Sequence, residues 1–203
     1  MPNEPTDFEL LERWAQGEQA AADEIVARYF DALHRFFRNK VADGAEDLAQ
    51  QALLACVKGK DRFSQKSSFR TYLFAAAHNI LKREFARRTR QHQPFDSSMH
   101  CVYDSLQAPS KIVAAKQDQR ILLEAFRRIP LDNQIVLELF YWEDLTGPQI
   151  AQIVGIPEGT VRGRLRRGLE QLRSVIEELA SGEALDSTQT HLEDWARALR
   201  DLE

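Results

Sequence analysis

The stretch IAQIVGIPEGTVRGRLRRGLEQLR, residues 150–173, decides the fold. Ile150, Ala151 and Val154 recur at helical steps and mark the inner face of a short helix. Thr146 opens that helix, and Gln149 three residues on completes a capping-box pattern. Pro148 lies in the first turn, where a missing N–H costs little. Gly155 supplies a corner, because glycine accepts the positive φ that such corners need. Ile156 is expected to follow as a buried plug, and Pro157 starts a second helix. The stripe of this helix is Val161, Leu165, Leu169, Leu172, Ile176 and Leu179, and Gly168 lies on the same face, where it permits close packing. Arg162, Arg164, Arg166 and Arg167 fall off the stripe, towards the N-terminal half. A recognition helix meets base edges with its N-terminal residues, and arginine grips phosphate or reads guanine there. Thr146 to Leu179 therefore reads as a helix-turn-helix that binds DNA.

Outward from that motif the apolar spacing is helical almost throughout, and no period-two strand is evident. Asp7 is the expected N-cap of a first helix that stops at Gly17. Ala21, Ile25, Tyr29, Leu33 and Phe36 mark a second, longer one. Asp43 is expected to open a third, with Glu46 as its capping-box partner and Gly59 as its end. Ser68 caps a fourth, which carries Phe69, Tyr72, Leu73, Ala76, Ile80 and Leu81 and runs out into Lys82, Arg83, Arg87, Arg88 and Arg90. From Gln91 to Pro109 the periodicity fails, and prolines, serines and scattered polar residues read as a linker. Helical pattern resumes near Ser110, breaks at Pro130 and restarts with Asp132 as the expected cap. The fold class is all-α: two small helical domains joined by a flexible linker, the second containing the helix-turn-helix.

Composition bounds the function. The chain has 203 residues, 43% hydrophobic, enough for one or two packed cores. No stretch approaches the ~18 apolar residues of a membrane span, and the polar, acidic start carries no signal-peptide pattern. Cys56 and Cys101 lie far apart without CxxC spacing, so neither a zinc site nor a disulfide framework is expected, and a reducing cytoplasm is the default. The net charge is -4, but its distribution matters more than its sum. Basic residues crowd 82–90 and 162–173, while acid collects at both ends of the chain. Two basic patches on an acidic body grip DNA locally and discourage sticking elsewhere. Scattered histidines, with no nucleophile elbow, phosphate loop or metal spacing, argue against an enzyme, and no cofactor or metal is expected.

Three stretches together resemble a known family. Residues 150–173 resemble region four of the extracytoplasmic-function (ECF) group of sigma-70-type sigma factors. DGAEDLAQQALLA, residues 43–55, resembles that family's core-binding region two, and FRTYLFAAAHNILKREFARR, residues 69–88, its minus-ten recognition helix. The resemblance implies a bacterial transcription initiation factor that binds RNA polymerase core and directs it to promoters. It implies a region 2 domain over 8–92, a linker over 93–109, a region 4 domain over 110–178 and an acidic extension over 181–203 outside the match. Glu46, Asp47 and Gln50 take the family positions that face the polymerase β′ clamp helices, with Leu48 anchoring the helix inward. Glu46 and Asp47 also suit the positive end of a helix dipole. The loop Lys58 to Ser67, with Arg62, matches the pocket for a flipped base. Asn79 stands at the polar position of the minus-ten helix, and Lys82, Arg83, Arg87 and Arg88 would hold phosphates. Thr160, Arg162, Gly163, Arg164, Arg166 and Arg167 would read the minus-thirty-five element. Implied partners are core polymerase, promoter DNA and, by family habit, an anti-sigma factor, all in the cytoplasm without membrane insertion.

The sequence departs from the family at Gly44 and Gln51, where acids are common, and at Gly163 and Gly168, where serine and alanine are common. Each helical glycine costs up to about 1 kcal/mol relative to alanine. The competing class is a stand-alone helix-turn-helix regulator, which would need neither the acids near residue 46 nor the asparagine and arginines of 79–88.

Overall fold

Residues 4–60, 67–91 and 117–179 are described by the computed structural model, and every regular element among them is a helix. The helices are α1 (Asp7–Ala15), α2 (Gln19–Arg38), α3 (Ala45–Lys58), α4 (Phe69–Gln91), α5 (Gln117–Arg128), α6 (Leu131–Tyr141), α7 (Gly147–Val154) and α8 (Glu158–Leu179). The chain divides into two compact units, one carrying α1 to α4, the other carrying α5, α6, α8 and residues 147–151 of α7. The linker expected over 93–109 and the acidic extension over 181–203 lie outside the described residues.

In the first unit the chain starts on a cap that the sequence reading misplaced. Thr6, not Asp7, is the N-cap of α1, and Glu9 Oε2 accepts from the Thr6 backbone N–H at 2.8 Å and from its hydroxyl at 2.9 Å. Asp7 becomes the first helical residue, and its carboxylate accepts from Arg28 at 2.9 Å and from the Tyr29 hydroxyl. Those two bonds pin α1 onto α2. Burial and the Asp7 bond together push the Tyr29 hydroxyl well above its ordinary range. Leu10, Leu11, Ile25, Leu33, Phe36 and Phe37 are fully buried. Each such side chain contributes roughly 1.5–3 kcal/mol of burial free energy. Tyr29 meets Phe69 edge-on at 5.3 Å, and Phe36 meets Phe74 at 5.7 Å, so aromatic pairs fix α4 against α2. Ser68 caps α4 as expected, its Oγ accepting from the Thr71 N–H at 3.2 Å.

In the second unit α5, α6 and α8 close around Leu122, Phe126, Ile129, Leu137, Trp142, Leu172 and Ile176. Phe126 packs on Trp142 with ring centroids 5.1 Å apart. Asp132 does not cap α6. Pro130 occupies that position, its carbonyl accepts from Asn133 and Gln134, and Asp132 lies in the first turn. Asn133 Nδ2 donates to Gln171 Oε1 at 2.7 Å, a polar tie between α6 and α8. Gly168 faces α6 so closely that an added Cβ would lie 3.0 Å from Leu137 Cδ1 and 3.3 Å from Asn133 Cβ.

Candidate functional site

The first candidate face lies on α3. The capping box expected between Asp43 and Glu46 is absent; Gly44 is the N-cap, at φ 79, and no side chain caps the helix. That left-handed conformation suits glycine, so the departure at this position has a backbone reason. Glu46 and Asp47 sit in the first turn and are exposed, as is Gln50. Leu48 is 7% exposed and holds the helix to the core. Asp47, Gln50, Gln51 and Leu54 recur at steps of three and four, so they share one outward face. Leu54 is 47% exposed in the middle of it, while its neighbour Leu53 is buried. Adjacent leucines in one apolar run give no sequence signal to tell which is outward; only the helix phase against α2 and α4 does.

The second face lies on α4. Asn79, Lys82, Arg83 and Arg87 are exposed and follow helical steps, so they line one face. Arg88 is half-buried beside them. Arg62 and most of its loop lie outside the described residues. Phe85 is half-buried. Glu84, the lone acid of the cluster, is central to it. Its Oε1 pairs with Arg87 at 2.7 Å and with Arg88 at 2.6 Å. The Arg87 bond first, then the Arg88 bond, hold the Glu84 carboxyl down at about 2. Arg88 also donates to the Asp43 backbone carbonyl at 3.3 Å, which ties the basic end of α4 to the chain entering α3.

The third face lies on the helix-turn-helix. Gln149 Oε1 accepts from the Thr146 N–H and hydroxyl, both at 2.8 Å, so the expected capping pair forms. Gly155 takes φ 72 and its N–H closes α7 on Ala151. Ile150 and Ile153 are the buried residues of α7; Ala151, Val154 and the plug Ile156 are only half-buried. On α8 Val161, Leu172 and Ile176 are buried, and Leu165, Leu169 and Leu179 pack partly against the core. Thr160, Arg162, Arg166 and Arg167 are exposed. Gly163 lies at the centre of that outward face, and an added Cβ would meet only Arg167, at 3.8 Å. Arg162 pairs with Glu158, and Arg166 with Glu170 at 3.5 Å. Arg164 differs, for it turns to Asp132 of α6 at 2.8 Å with 24% of its side chain exposed. The residues expected on this surface are therefore together, except that Arg164 is partly engaged in holding α8 to α6.

Burial pushes the Cys56 thiol up to about 12, which leaves it an inert core group. Among the described residues no group of three or more histidines, cysteines or carboxylates is arranged to hold a metal ion. No helix among them is long and apolar enough to cross a membrane.

Comparison with known proteins gives these faces a context. A family description reading "Sigma-70 region 2" matches residues 25–91, and one reading "Sigma-70, region 4" matches 119–172; together they cover more than half of the chain. The RNA polymerase sigma-H factor of Pseudomonas aeruginosa is 26% identical over 194 residues, 88% of this chain and 98% of the relative. The ECF RNA polymerase sigma-E factor of Escherichia coli K12 is 25% identical over 190 residues, again 88% of this chain and 98% of the relative. Among solved structures, the Bartonella quintana sigma factor RpoE, crystallised with the anti-sigma factor NepR, superposes with a TM-score of 0.63 at 21% identity, over 76% of this chain and 96% of that one. CnrH, solved with the cytosolic domain of CnrY, superposes at 0.60 and 19% identity, over 86% and 99%.

Proposed function

This chain belongs to the ECF group of the sigma-70 family of bacterial RNA polymerase sigma factors, and from that premise we propose which of its residues do the work. As a sigma factor it binds RNA polymerase core and directs promoter-specific initiation of transcription; it is an initiation factor and not a catalyst.

Region 2 spans residues 8–92 in this reading, the linker 93–109, region 4 110–178, and an acidic extension 181–203. Glu46, Asp47 and Gln50 meet the basic side of the β′ clamp helices, with Leu48 bracing the helix from within. Leu54 adds an apolar centre to that contact. An exposed leucine ringed by polar residues suits an interface core, where apolar groups are desolvated inside a polar rim. Asn79, Lys82, Arg83, Arg87 and Arg88, with Arg62, hold the minus-ten region. Thr160, Arg162, Arg164, Arg166 and Arg167 read or grip the minus-thirty-five element, and Gly163 lets its backbone come close. The site of action is the cytoplasm, where the polymerase works. An anti-sigma factor is a further partner in this reading, because RpoE, which shares the fold, was solved with one.

The observation that carries this over a stand-alone helix-turn-helix regulator is the outward face of α3. A reader that needs only DNA has no use for exposed Asp47, Gln50 and Leu54 beside a separate basic helix. Reconstitution tests it: purified chain is added to core polymerase and promoter-directed RNA is measured. Binding to promoter DNA without binding to core would favour the stand-alone regulator.

A further inference from the structure

We propose that Glu84 is an internal competitor for phosphate, planted in the minus-ten patch to keep the free chain from holding DNA. The inference rests on the assignment of α4 as a DNA-contacting helix. Arg87 and Arg88 are each bound to this one carboxylate, at 2.7 Å and 2.6 Å. A DNA phosphate that takes up the Nε and Nη2 donors of Arg87, or the Nε of Arg88, must displace it. The acids on α8 are weaker competitors: Glu158 and Glu170 are 39% and 59% exposed in their single pairs with Arg162 and Arg166, and exposed pairs are readily given up. Glu84 is only 12% exposed and accepts from two arginines at once, so it stays in place. Arg88 is held further by the Asp43 carbonyl, which limits its swing towards a ligand.

The carboxylate removes one positive charge from a patch whose grip on any duplex is set by charge alone. Free sigma then gains little from nonspecific DNA. Once polymerase presses α4 against the promoter, the effective concentration of phosphate is high and the exchange at Arg87 becomes favourable. Glu84 thereby shifts DNA binding from the free chain to the assembled enzyme, which raises discrimination between promoter and other DNA.

The test is Glu84→Gln in the full chain, which keeps an acceptor for both arginines and removes the charge. Binding of free protein to a promoter duplex and to a scrambled duplex is measured by anisotropy across a salt series. Glu84→Gln should tighten both about threefold to tenfold at low salt and steepen the salt slope by roughly 0.9, one more phosphate neutralised. Glu84→Asp, which keeps the charge, should stay near the wild type. Both variants are checked for unchanged helix content, and their affinity for core, on the separate α3 face, should be unchanged. DNA affinity that is unchanged or weaker in a folded Glu84→Gln chain would overturn the proposal. If the wild type neither binds core nor yields promoter-directed RNA, it is the wider functional reading that falls.

Discussion

At Gly168 and Gly163 the same substitution should have opposite effects. Both glycines lie within α8, where alanine favours the helix by about 1 kcal/mol. At Gly163 a methyl group enters nearly open space, so Gly163→Ala should raise the melting temperature. At Gly168 it would press on Leu137 and Asn133 at 3.0–3.3 Å, and overpacking a tight contact costs about 1–3 kcal/mol. Gly168→Ala should therefore lower the melting temperature despite its better propensity; an increase would mean that α6 yields easily. Leu54 gives a second residue-scale test. Because the side chain is nearly half exposed and glutamine keeps a good helix propensity, Leu54→Gln should change thermal unfolding little. If it is an anchor of the core contact, affinity for polymerase should fall at least about tenfold, the scale of an interface hot spot. Unaltered affinity would remove Leu54 from the interface.

Helices set the next scale, and α4 shows how an element's ends and charges interact. Its last turns concentrate positive charge, and Glu84 offsets part of it by binding Arg87 and Arg88. Because those bonds lower the Glu84 carboxyl from 4.5 to about 2, the folded state favours its ionised form. Above pH 4.5 the carboxylate is ionised in folded and unfolded chains alike, and its stabilisation is fully present. It should be lost as pH falls from about 4.5 to about 2. Denaturant unfolding followed by helix signal across that range should show Glu84→Gln losing less stability than the wild type. Parallel curves would show that the pair adds nothing to the folded state. The α7–α8 pair depends instead on its corner. Gly155 at φ 72 lets the chain turn, and the Thr146–Gln149 pair starts α7, so both ends of the short helix are set by local chemistry.

At the scale of the whole molecule, two basic faces sit in two separate units, and under the proposed function they meet the promoter together when polymerase holds both. Loss at one face should then be partial and dependent on the promoter. Arg167, exposed and without a carboxylate partner among the described residues, is the cleanest site to remove. Holoenzyme with Arg167→Gln should lose initiation mainly at promoters that depend on the minus-thirty-five element, with a salt slope shallower by about 1 if the contact is to phosphate. An equal loss at promoters lacking that element would place Arg167 elsewhere. The helical class with two helical domains, the turn at Gly155, the α7 cap and the stripe of α8 were all legible in the sequence. These depend on near neighbours, since periodicity, caps and glycine conformation act over a turn or two of chain. The caps at Asp7, Asp43 and Asp132 were misread, because Thr6, Gly44 and Pro130 compete one or two residues away and the winner depends on how the helix docks. Tertiary structure alone decided that Leu54 is outward, that Asp132 takes Arg164 and that Gly168 admits Leu137. Those outcomes join residues about 30 positions apart or depend on the phase of one helix against another, and no local pattern carries that information.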